Sequence, residues 1–222
     1  MGWNKPPEYR MSAENTPLLG FCAYGSGAGK TTLLTRLIPA LAAHGLRISV
    51  IKHAHHTFDI DHPGKDSFRL REAGAVQMLL GSRRRWALMT ELEDDFRAEP
   101  SLAELRAHMD GTLTDLILVE GFKHEAIPKI EIHRPLLNTP LLADQDKNII
   151  AIASDGPVTT GLPVLDLNDM DAITAFILHW LQEQQAGEKL AGPPRGHSTR
   201  PTGGPASRML ATLRGGVSRK SM

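Results

Sequence analysis

Gly25-Ser26-Gly27-Ala28-Gly29-Lys30-Thr31-Thr32 has the residue types and the spacing to hold a phosphate chain. Glycines let successive backbone N–H groups curl around phosphate oxygens, and a helix opening at the loop's end adds the positive end of its dipole. Lys30 is placed to reach the β- and γ-phosphates, and the Thr31 hydroxyl to ligate Mg²⁺. The strict spacing wants glycine six residues before the lysine. Tyr24 stands there and Gly25 comes one place late, so a differently shaped entrance is expected. The plain alternative is a flexible glycine turn between strand and helix. Its flanks argue otherwise: Leu18 to Ala23 reads as a buried strand, and Leu33, Leu34, Leu37, Ile38 and Leu41 share one face of a following helix.

Two acids extend the candidate site. Glu120 follows the apolar Leu116-Ile117-Leu118-Val119, where a carboxylate can hold Mg²⁺ through water or orient an attacking water. The plain alternative is a solvated acid at a strand end. Asp155 lies just past the apolar run Ile149 to Ala153 and is the candidate reader of the base. A carboxylate accepts two N–H donors, and guanine offers N1 and N2 side by side where adenine does not. The Asn-Lys-x-Asp guanine signature is absent, and a turn aspartate is the competing reading. Asp115 reads only as a turn residue.

The histidines His53, His55, His56 and His62, near Asp59 and Asp61, invite a metal reading. On an extended chain His53, His55 and His56 do not all point one way, and zinc sites usually add cysteine. Contact with phosphate or another anionic ligand, together with Lys52, Lys65 and Arg69, is the better expectation. Arg83-Arg84-Arg85 reads as a solvated turn that could instead meet a phosphorylated ligand or a neighbouring subunit.

These residues must be positioned by alternating strands and helices. A helix is expected from Lys30 to Ala43, bent at Pro39 and stopped at Gly45, then a strand from Leu46 to Ile51. Asp66 to Ala73 reads as a short helix ended by Gly74. Val76 to Leu80 and Trp86 to Thr90 read as an antiparallel or edge pair. Ser101-Leu102-Ala103-Glu104 is a capping box, opening a helix that runs to about Met109. Leu116 to Val119, Lys129 to His133, Ile149 to Ala153 and Val164-Leu165 supply further strands. A last helix opens at Asn168, with Ile173, Phe176, Ile177, Trp180 and Leu181 on one face. The expected fold is therefore α/β: a mostly parallel sheet with helices on both faces and an antiparallel edge extension. Ligands of such sheets bind beyond the carboxyl ends of the strands, so Lys30-Thr31, Glu120 and Asp155 are expected to share one pocket.

Residues 1–16, polar with Pro6-Pro7, read as a flexible leader; 17–186 as the nucleotide-binding domain; 187–222 as a basic, disordered tail. Lysine plus arginine and aspartate plus glutamate both number 25. The tail holds seven of the basic residues and one acid, which leaves 18 bases against 24 acids, a charge of −6, before it. An acidic body argues against sequence-independent nucleic-acid binding. The single cysteine, Cys22, rules out an internal disulfide and suits a cytoplasmic protein; no apolar run is long enough to span a membrane.

Five blocks together resemble the molybdopterin-guanine dinucleotide biosynthesis protein B family (MobB), over roughly Pro17 to Leu181. They are Tyr24 to Leu33, Ile51-Lys52-His53-Ala54-His55-His56, Pro63 to Ser67, Arg85 to Met89 and Leu118-Val119-Glu120-Gly121-Phe122-Lys123-His124. The resemblance implies a P-loop protein that binds GTP and Mg²⁺, hydrolyses GTP weakly and forms a homodimer. It further implies an accessory role beside the guanylyltransferase that joins GMP to molybdenum-bound molybdopterin, with a molybdopterin-type ligand as a further candidate. Carried over, Gly25 to Thr32 form the loop, Lys30 and Thr31 are the phosphate and Mg²⁺ residues, and Glu120 is the second acid. The family's loop reads Ser-Gly-x-Gly-Lys directly after an aromatic residue, whereas here Gly25 separates Tyr24 from Ser26. Two other classes would use the same loop: a small-molecule kinase, and a metal-delivery GTPase storing its cargo on the histidines.

Overall fold

The computed structural model describes residues 15–54, 58–92 and 99–191, with side chains as far as Ala186. In chain order its elements are β1 (Leu18–Cys22), α1 (Lys30–Ala43), β2 (Ile48–Lys52), α2 (Asp66–Glu72), β3 (Gln77–Gly81) and β4 (Trp86–Thr90). There follow α3 (Leu102–Ala107), β5 (Leu116–Glu120), β6 (Lys129–His133), β7 (Ile149–Ser154), β8 (Val164–Asp166) and α4 (Met170–Ala191). Six strands form one sheet in the order β2-β5-β1-β6-β7-β8, every neighbouring pair parallel. β5 and β6 are buried at every residue, as strands covered on both faces must be.

Local rules account for the helix ends. α1 starts at Gly29 (φ +100°) and stops where Gly45 takes φ +85°, a left-handed conformation that closes a helix at little cost to glycine. Pro39 sits inside α1. α3 opens on the capping box: Ser101 Oγ accepts the Glu104 N–H while the Glu104 carboxylate accepts the Ser101 N–H. α4 continues to Ala191, past the change in composition at Gly187. At the other end Thr16 is buried and its carbonyl accepts the Arg106 guanidinium.

The two faces of the sheet are closed differently. On the first, Leu33, Leu37 and Leu41 of α1 and Ile173, Ile177 and Leu181 of α4 pack on Leu19, Phe21, Leu116, Leu118, Ile130 and Ile132. On the second, α3 covers only the region of Ile51, Ile117 and Val119 through Leu102, and Phe122 and Ile127 from the β5–β6 connection join it. Beside this, β6 turns Lys129 and Glu131 into the same side, both fully buried. Lys129 Nζ donates to the carbonyls of Lys123 (3.1 Å) and Glu125 and pairs with Asp146 at 2.7 Å. Glu131 accepts the N–H groups of Leu142 and Ala143 at 2.8 and 2.9 Å. Gly20 of β1 makes room, since a Cβ there would lie 2.6 Å from Lys129 Cγ.

The β3–β4 hairpin forms its own two-stranded sheet and does not extend the edge of the large one. It is tied instead to α2 and the loop before it. Arg71 bonds Glu91, just past β4, at 2.6 Å and Asp59 at 2.8 Å. Asp115 is more than a turn residue: buried at the start of β5, it takes the Arg47 guanidinium through both oxygens and so joins the foot of β2 to β5. Among the described residues no helix is long and apolar enough to cross a membrane.

Candidate functional site

A cavity of about 1090 Å³ opens at the carboxyl ends of β1, β2 and β5. The glycine loop forms its floor because β1 ends at Cys22 and α1 begins at Lys30, and the residues between must reverse the chain over a strand edge. Gly27 (φ +77°) and Gly29 (φ +100°) supply the left-handed turns this needs. Lys30 Nζ donates to the Gly25 carbonyl at 3.0 Å and so closes the loop on itself. Tyr24, half exposed, stands at the mouth rather than inside the loop.

Thr31 opens α1 and Glu120 ends β5, 89 residues apart, yet the Thr31 hydroxyl donates to Glu120 Oε1 at 2.6 Å. Glu120 is nearly buried. Two hard oxygens at the edge of an open polar cavity fit Mg²⁺, which takes one or two protein oxygens and keeps several waters. Lys52 completes the cluster, its Nζ 3.3 Å from Glu120 Oε1. Beside it the chain turns sharply at Gly121 (φ +94°) and Phe122 (φ +50°). A Cβ on Gly121 would strike His53 Cβ at 2.8 Å, so glycine permits His53 to lie against this turn. The His53 ring lies tilted against Phe122 with centroids 4.7 Å apart, and its Nε2 lies 2.8 Å from the Glu99 carboxylate.

The structure thus brings Lys30, Thr31, Glu120, Lys52 and His53 to one cavity, with Lys123 and His124 on its far wall. A second cavity of about 570 Å³ adjoins it, sharing Tyr24, Lys123 and His124 and reaching Asp146. Asp155 is not in either. Its carboxylate, at the end of β7, is held by Arg134 Nη1, and Arg134 Nε donates to the Ala28 carbonyl at 2.9 Å. The third strand-end acid therefore grips the outside of the loop through an arginine, instead of facing the same pocket as Lys30 and Glu120. Lys65, Arg69 and the Arg83-Arg84-Arg85 turn also lie outside the cavity. His55 and His56 lie outside the described residues. Among the described residues no three His, Cys, Asp or Glu side chains converge to hold a metal ion.

Arg134 and Glu99 were not singled out from sequence. Arg134 directly follows β6, and the rule that drew attention to Glu120 and Asp155 applies to it equally. Glu99 carries no comparable signal. Cys22, at the back of the cavity, is a poor nucleophile: burial, then the nearby Glu131 carboxylate, pushes its thiol up to about 12.

The sequence model of the MobB family, molybdopterin guanine dinucleotide synthesis protein B, matches residues 18–155. The molybdopterin-guanine dinucleotide biosynthesis adapter protein of Escherichia coli (strain K12) is 50% identical over 169 residues, 76% of this chain and 95% of that protein. Its counterpart from Haemophilus influenzae is 48% identical over 165 residues, 74% and 89% of the two chains. The crystal structure of Bacillus subtilis MobB superposes with a TM-score of 0.56 at 24% identity, covering 73% of this chain and 96% of that one. At that identity the superposition speaks for the fold.

Proposed function

The chain belongs to the molybdopterin guanine dinucleotide synthesis protein B family, and from that premise we propose that it is a nucleotide-binding adapter in molybdopterin guanine dinucleotide synthesis. In this reading it binds GTP with Mg²⁺, hydrolyses it slowly, and works as a homodimer beside the guanylyltransferase that joins GMP to molybdenum-bound molybdopterin. One observation carries the nucleotide part: Lys30, Thr31 and Glu120 converge at the strand ends, with Thr31 bonded to Glu120 across the sheet.

The roles follow from the geometry. The N–H groups of Gly25 to Thr32 and the Lys30 ammonium would hold the phosphates, Lys30 exchanging the Gly25 carbonyl for a phosphate oxygen. Thr31 and Glu120 would hold Mg²⁺, which neutralises charge on the terminal phosphates when bound. Glu120, already an acceptor for Thr31, is the group able to orient a water. The preference for guanine rests on family membership, since Asp155 is engaged by Arg134. The homodimer is supported by the hairpin, which exposes Leu79, Trp86 and Leu88.

Titration of the chain and of Lys30→Ala with GTP and ATP, with and without Mg²⁺, tests the reading. The parent is expected to prefer GTP with Mg²⁺, and the variant to lose binding at an unchanged melting temperature. Equal GTP binding by both proteins would overturn the assignment.

A further inference from the structure

Besides Lys123 on the opposite wall of the cavity, three lysines approach the Thr31–Glu120 pair or the strands beside it, and their surroundings differ. Lys129 is locked, fully buried with three acceptors. Lys30 rests on a backbone carbonyl of its own loop. Lys52 is otherwise placed. As the last residue of β2 it stands opposite Glu120 in the parallel register, on the same side of the sheet. Its Nζ lies 3.3 Å from Glu120 Oε1 and 3.4 Å from Thr31 Oγ1, the two oxygens suited to a divalent cation. The Glu120 side chain is 10% exposed and that of Lys52 is 55% exposed. A carboxylate so nearly removed from water needs a positive partner. The ammonium that provides it sits on a solvent-facing stem, able to swing about the end of its strand.

We propose that Lys52 is a displaceable counter-ion of Glu120. Its ammonium balances the Thr31–Glu120 pair in the nucleotide-free site and moves onto the phosphate chain when nucleotide and Mg²⁺ enter. The inference rests on the nucleotide reading above and extends it. One carboxylate oxygen cannot neutralise an ammonium and a divalent cation at once, because the two cations repel at this range. Lys52 therefore lowers the site's affinity for Mg²⁺ until phosphate offers the ammonium another partner. A triphosphate offers that partner more charge than a diphosphate, so Lys52 also sharpens the choice between them.

The experiment is calorimetric titration of the full chain, Lys52→Met and Lys52→Arg with GTP and with GDP over a range of Mg²⁺ concentrations. Methionine keeps the apolar stem and removes the charge. Two changes are expected together in Lys52→Met. The Mg²⁺ concentration giving half-maximal GTP affinity falls severalfold. At saturating Mg²⁺, GTP weakens about ten- to hundred-fold more than GDP, the loss of a charge-assisted contact. Lys52→Arg, still charged, retains a parental Mg²⁺ midpoint. If either change is missing in Lys52→Met while the parent binds both nucleotides, the counter-ion role is overturned and the nucleotide reading stands. A parent that binds neither nucleotide overturns both.

Discussion

On one face of the sheet α1 and α4 lay leucines and isoleucines over Leu19, Phe21, Ile130 and Ile132. On the other, over β1 and β6, an irregular segment around 121–128 and a single 3-10 turn at Leu142–Asp144 are fastened by Lys129 and Glu131. The difference is one of backbone accounting. A long helix satisfies most of its own N–H and C=O groups and needs mainly apolar burial, whereas an irregular segment or the first turn of a short helix brings unpaired groups with it. Lys129 meets two such carbonyls and Glu131 two such N–H groups. Buried charges are weak evidence of stability, but they fix one geometry, because any displacement leaves a charge without its partner. The segment they fix carries Lys123 and His124, which line both cavities. The first face supports the site; the second shapes it.

The sharpest way to break this distinction is Lys129→Met. The substitution leaves Asp146 and the carbonyls of Lys123 and Glu125 without their shared donor. Breaking a buried pair from one side costs about 3–5 kcal/mol, and the partial exposure of Asp146 puts this loss at the lower end. Denaturant unfolding should show that loss, and nucleotide affinity should fall with it as the Lys123–His124 segment shifts. Removing the charge at Asp146 as well, in Lys129→Met with Asp146→Asn, should recover part of the stability. A variant destabilised this much with parental nucleotide affinity would show that the segment is held by other contacts.

Leu37→Ala attacks the first face. Leu37 is fully buried between α1 and the sheet, and deleting such a side chain costs about 2–5 kcal/mol. Under conditions where the variant stays folded, its affinity for GTP should equal the parent's, since no loop group loses a partner. A matching loss of affinity would erase the contrast between the faces.

What the sequence discloses follows the same division. Leu116 to Val119, the glycine loop, the Ser101–Glu104 capping box and the apolar stripe of the last helix are local patterns, and the structure repeats them nearly residue for residue. Lys129 to His133 alternates polar and apolar residues, a pattern that by itself reads as a strand with one face in water. Its polar face is buried because acceptors and donors arrive from residues 123–125 and 142–143, which no local period encodes. Asp155 is a second case. Its position was legible, but its partner Arg134, 21 residues earlier, comes from a different strand end. The hairpin's pairing was legible too, while its separation from the large sheet and the Arg71 bonds to Asp59 and Glu91 that tie it to α2 were not.

The smallest expected effect is a pH dependence confined to the second face. Burial alone would raise the Asp146 carboxyl, but the Lys129 ammonium and the Asn148 amides outweigh it and hold Asp146 below the usual carboxylate range. A carboxyl whose folded value is depressed stabilises the fold fully above its unfolded value of about 3.9. That contribution disappears as pH falls through the folded value. The affected window therefore lies below about pH 4. Amide exchange, expressed as protection factors, should show the N–H groups of Lys129 and Asn148 loosening between pH 6 and pH 3, while those of α1 change less. Asp146 has one buried partner and is itself partly exposed, so the change stays below that of either substitution. In Lys129→Met the same amides should show little further loss on acidification, because the bond that depresses Asp146 is already gone. Equal loosening of α1 and the β6 edge in the parent would mean that acid acts on the whole fold, and that the Lys129–Asp146 pair does not set the second face apart.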